Sequence, residues 1–62
     1  MDEAKIEEFR SKLNALESEL KVHAEEVADP KCAALCETSA EVVGGLKMAF
    51  DHFVAKEEKA WQ

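Results

Sequence analysis

Proline occurs once in this chain of 62 residues, and its position organises everything else. Asp29-Pro30 lies between two segments whose apolar residues recur at helical spacing. Proline disfavours the α region for the residue before it, so a helix arriving from the N-terminal side must end by Asp29. Aspartate at the N-cap followed by proline at the first helical position is equally a start signal. One dipeptide therefore stops a first helix and begins a second, and so short a joint favours antiparallel neighbours, an αα-hairpin.

The first segment carries Ile6, Phe9, Leu13, Leu16, Leu20, His23 and Val27. Their spacings alternate three and four without a break. This a/d heptad seam predicts an amphipathic helix over about residues 3–27 that packs in a near-parallel, coiled-coil-like way. Asp2 is placed to cap it, and Glu3, Glu7 and Glu8 suit the positive end of the helix dipole. Glu8 with Lys12, and Glu17 with Lys21, form exposed pairs in the better orientation, each worth about 0.3–0.5 kcal/mol.

The second segment, about residues 30–60, is richer in apolar positions. One stripe runs Cys32, Leu35, Ser39, Val42, Leu46, Ala49, Phe53 and Ala60. A second stripe beside it runs Cys36, Ala40, Val43, Phe50, Val54 and Trp61. Antiparallel mates about a corner near residue 29 have numbers that sum to about 58. This pairs the first helix with the first stripe, Leu16 with Val42 and Leu13 with Leu46 among the layers, and Phe9 with Ala49 or Phe50. A single seam covers a single stripe, so the second is expected to remain as an exposed patch, the usual mark of an interface. The expected architecture is all-α: one domain over residues 1–62, an antiparallel hairpin that dimerises into a four-helix bundle through Cys36, Ala40, Val43, Phe50, Val54 and Trp61. Gly44-Gly45 opposes helix by roughly 2 kcal/mol. Helix-forming sequence on both sides still favours a continuous helix, with a kink at 44–45 allowed for.

Length adds weight to the dimer. A chain this short buries only about 60% of its unfolded surface and usually needs a disulfide, a metal or a partner subunit. The layout resembles the Rop family of plasmid copy-number regulators, two-helix chains of similar length that dimerise antiparallel. The likeness rests on length and heptad spacing and implies architecture. An RNA role is not carried over, because fourteen acidic against eight basic residues, spread along the chain, leave no basic face. Nucleic acid is therefore excluded as a partner, and the acidic surface repels anionic membranes. No apolar run approaches the roughly 20 residues that span a bilayer. The N-terminus lacks a secretory pattern, so a reduced cytoplasmic setting is expected, where cysteines do not form structural disulfides.

The two cysteines carry the remaining chemistry. Cys32 and Cys36, one helical turn apart, share a face, and the pairing rule sets His23 of the first helix in a neighbouring layer. Together they are a candidate zinc-ligand set, since zinc takes mixed nitrogen and sulfur ligands tetrahedrally. Free cysteine is equally a small, commonly buried hydrophobe, and core packing is the competing reading. A redox reading rests on Cys32 in the first helical turn beside Lys31, where a thiolate is favoured. A Cys32–Cys36 disulfide would be strained by helical geometry. His23 on the seam is expected to be partly buried and neutral, and its protonation below about pH 6.5 to loosen the core. His52 reads as surface, Ser39 as bonding back to its own helix, and Glu25, Glu26 and Asp29 as solvated charge. No catalytic set is visible, and an enzyme is not expected. The expected function is that of a small non-catalytic structural or interaction protein acting as a homodimeric bundle without a cofactor; the alternative is a metal-binding or thiol redox-responsive module.

Overall fold

The computed structural model describes residues 2–58. Two helices follow one another, α1 (Glu3–Glu26) and α2 (Pro30–Glu58), and pack side by side as an antiparallel hairpin. Both starts are capped as their sequences dictate. Asp2 Oδ1 accepts from the Ala4 N–H at 3.0 Å, and Asp29 Oδ1 accepts from the Lys31 N–H at 3.0 Å. Each side-chain oxygen satisfies a donor that the first helical turn leaves without a partner. Val27 leaves α1 in an extended conformation while its N–H still donates to the His23 carbonyl at 3.0 Å. The corner is therefore three residues long, and α2 begins on Pro30.

Helix α2 runs unbroken through Gly44-Gly45. The two glycines differ in their surroundings. A Cβ on Gly44 would lie 2.8 Å from Glu17 Oε2, whereas one on Gly45 would meet nothing within 4 Å. Gly44 leaves room for an inter-helical carboxylate; Gly45 only weakens the helix. Gly45→Ala should therefore stabilise the protein by about 0.5–1 kcal/mol. In a domain of this size that raises the melting temperature by about 2–8 °C, read by circular dichroism.

The packing reverses the expected roles of the two stripes. Cys36, Ala40 and Val43 are buried within the single chain, together with Ile6 from α1. Phe50 packs edge-on against Phe9 with ring centroids 6.1 Å apart, and Phe50 and Val54 are half-buried. The stripe expected to form the dimer interface thus faces α1, and Cys36, Ala40 and Val43 are not open to a second copy. Trp61 lies outside the described residues. The stripe expected to face α1 is instead largely open, with Leu35 65% exposed, Val42 61% and Leu46 45%. The reason is steric and electrostatic together. Small side chains at Cys36 and Ala40 let the helix axes approach closely, which the bulk of Leu35, Val42 and Leu46 would prevent. This rotation also brings Lys47 and Asp51 against α1, where acceptors and an arginine meet them.

On α1 the heptad seam is followed in part. Ile6, Phe9, Leu13, Leu20 and Val27 face α2, but Leu16 is 44% exposed and His23 is exposed. Glu17 takes the inward position next to Leu16, with 17% of its side chain exposed.

Candidate functional site

The two flanks of the hairpin have opposite chemistry. On one, α1 and α2 are tied by charged and polar side chains. The Arg10 guanidinium donates to Asp51 Oδ1 through Nε at 3.0 Å and Nη2 at 2.7 Å, and also pairs with Glu7. Lys47 Nζ donates to Glu17 Oε1 and to Asn14 Oδ1, each at 2.8 Å. The Lys47 hydrogen bond is the main cause that holds the Glu17 carboxyl below the ordinary glutamate value of 4.5, opposed by its partial burial and helped by Lys21. The expected pairs Glu8–Lys12 at 3.2 Å and Glu17–Lys21 at 3.5 Å are present on α1 as well.

A depressed carboxylate value fixes the sign of a pH effect. The stability that Glu17 contributes is complete above 4.5 and is lost as the pH falls through its lower folded value. Glu17→Gln should therefore melt below the unsubstituted protein at neutral pH. The difference in melting temperature should close as the pH is lowered into the acid range. A gap that stays constant with pH would assign the effect to packing alone.

Among the described residues, the opposite flank carries no such network. Leu35, Val42, Leu46 and Ala49 are spaced seven, four and three along α2 and so share one face. Helical rotation puts them on the side of the buried row away from Lys47 and Asp51. Leu16 is exposed on the flank of α1 away from Arg10 and Glu17, where it lines a shallow surface with Leu20, Val22 and His23, and half-buried Phe53 continues the α2 strip one turn on. Met48 is also exposed but stands on the flank of Lys47 and Asp51. An apolar stripe of α2 does stay open, but on the face expected to pack on α1 rather than on the Cys36, Ala40 and Val43 face.

At the corner end, the pairing expected of the cysteines and the histidine is realised. His23, Cys32 and Cys36 each present a ligand atom, and these atoms lie within 4.8 Å of one another. His23 comes from the last turn of α1, while Cys32 and Cys36 come from the first two turns of α2. Cys36 is buried, Cys32 is half-buried and both are free thiols. Burial first, and the neighbouring Cys32 second, push the Cys36 thiol above its ordinary value of 9.0. His23 is exposed rather than partly buried, because the rotation of the helices leaves this seam position on the outer edge of the contact. Among the described residues, no helix is long and apolar enough to cross a membrane.

No family model matches the chain, and no curated protein and no solved structure is significantly similar to it.

Proposed function

We propose that the protein is a non-catalytic interaction module that works as a homodimeric four-helix bundle, two hairpins joined through the Leu16, Leu35, Val42, Leu46 and Ala49 flank. The observation that carries this reading is the asymmetry of the hairpin. One flank is closed by inter-helical ion pairs and the other is an open apolar strip. A contiguous strip of this kind marks a surface that something covers.

Dimensions favour a second copy as the cover. The hairpin measures 48 × 20 × 13 Å, one helix thick, with a radius of gyration of 14.5 Å. A compact domain of this length has a radius of about 10–11 Å. Its accessible surface is 4766 Å², against about 4000 Å² for a compact monomer of its mass. The excess is close to the roughly 800 Å² that one partner contributes to a standard interface. With four buried residues among those described, a lone hairpin has a thin core, and a partner subunit is one of the additions by which small folds become stable.

Charge separates this reading from docking on another protein. Each copy carries a net −6, so two copies repel, and salt screens that repulsion over a Debye length of about 8–10 Å near physiological strength. Self-association measured by sedimentation should therefore tighten as salt is added. A basic partner on the same flank would instead be released by salt, and self-association that weakens with salt would overturn the proposal.

A further inference from the structure

We propose that His23, Cys32 and Cys36 form a zinc site that clamps the end of α1 to the start of α2. The inference goes beyond the dimer and does not depend on it, since all three ligands belong to one chain. The set is geometrically close to complete. Zinc bound to sulfur at about 2.3 Å and to nitrogen at about 2.0–2.1 Å holds two sulfurs and one nitrogen about 3.5–3.8 Å apart. The three atoms already lie within 4.8 Å of one another, so about 1 Å of closure is needed, within the reach of side-chain rotation.

The backbone favours that closure. Both cysteines stand one turn apart on a helix start fixed by the Asp29 cap and Pro30, and the three-residue corner limits how far His23 can move from them. Burial of Cys36 and half-burial of Cys32 exclude most competing solvent. The charge also balances: two thiolates neutralise the dication, the imidazole adds none, and a neutral cluster suits a partly buried position. Metal entry displaces one proton from each thiol to solvent, so binding releases two protons per ion. Soft sulfur donors with one imidazole select zinc over magnesium or calcium, which take oxygen. A water molecule is the expected fourth ligand on the exposed His23 side.

The test is a titration of the reduced, metal-free chain with cobalt(II), followed by competition with zinc against a chromophoric chelator. Expected is saturation at one cobalt per chain, with thiolate-to-cobalt charge transfer, intense visible bands of tetrahedral coordination, and displacement by zinc. Cys32→Ser and His23→Gln change residues outside the fully buried core, so their helical circular dichroism should be unaltered. Each should weaken zinc binding by more than about 100-fold, since loss of an outer partner alone costs 10–100-fold. Absence of the charge-transfer band at one equivalent would overturn the proposal. So would a band that persists at full strength in either variant, or binding without thiolate character, as exposed carboxylates give.

Discussion

Val42→Glu should convert the protein into single chains of 6.9 kDa with a melting temperature that no longer depends on concentration. Val42 stands in the middle of the open strip at 61% exposure and is not part of the hairpin's own core. Covering a valine side chain is worth about 1.5–3 kcal/mol, and a symmetric dimer has two such positions. The substitution removes both contributions and sets two carboxylates in an apolar contact. A loss of at least about 3 kcal/mol raises the dissociation constant by at least about 100-fold. Sedimentation equilibrium of the variant beside the unsubstituted protein measures it. Equal association by the two proteins would show that this flank is not the interface.

The neighbouring position has a different fate. Val43 is 8% exposed and faces α1, so Val43→Asp places an unpaired carboxylate inside the hairpin. Truncating the side chain and burying the charge together cost several kcal/mol. A folded chain of this length has only about 3–9 kcal/mol of total stability. Loss of most of the helical circular dichroism at neutral pH is expected, at every concentration at which the unsubstituted protein is folded. The contrast between adjacent valines separates an interface from a core, and a Val43→Asp protein that melts like the parent would contradict the packing described.

What could be read from the residues, and what could not, follows from the physics of each feature. The corner was legible because Asp29-Pro30 acts locally: its cap, its proline and the change of direction involve no distant residue. Asp2 and the pairs Glu8–Lys12 and Glu17–Lys21 were legible for the same reason. The meeting of His23 with Cys32 and Cys36 followed from counting outward from the corner, where errors have not yet accumulated. Farther out the same count still allows Phe9 against Phe50, which do meet. The pairs of Arg10 with Asp51 and of Lys47 with Glu17 and Asn14 were not legible, because long charged side chains reach past the residue directly opposite and the count pairs only the seam. The rotation of α2 about its own axis was not legible from apolar spacing. Two adjacent stripes of similar apolar content cannot be ranked by hydrophobicity. The choice went to the one with Cys36 and Ala40, whose small side chains allow close approach, and whose rotation sets Lys47 beside Glu17 and Asn14. Side-chain size along each stripe, weighed with the charges flanking it, was the signal available in the sequence.

The most direct measurement is the mass of the unsubstituted protein in solution, by native mass spectrometry and by sedimentation equilibrium over a wide concentration range. A particle of twice the 6.9 kDa chain mass, dissociating on dilution together with a fall in melting temperature, is the predicted result. A fully helical single chain at all concentrations, with Leu35, Val42 and Leu46 still facing water, would contradict it.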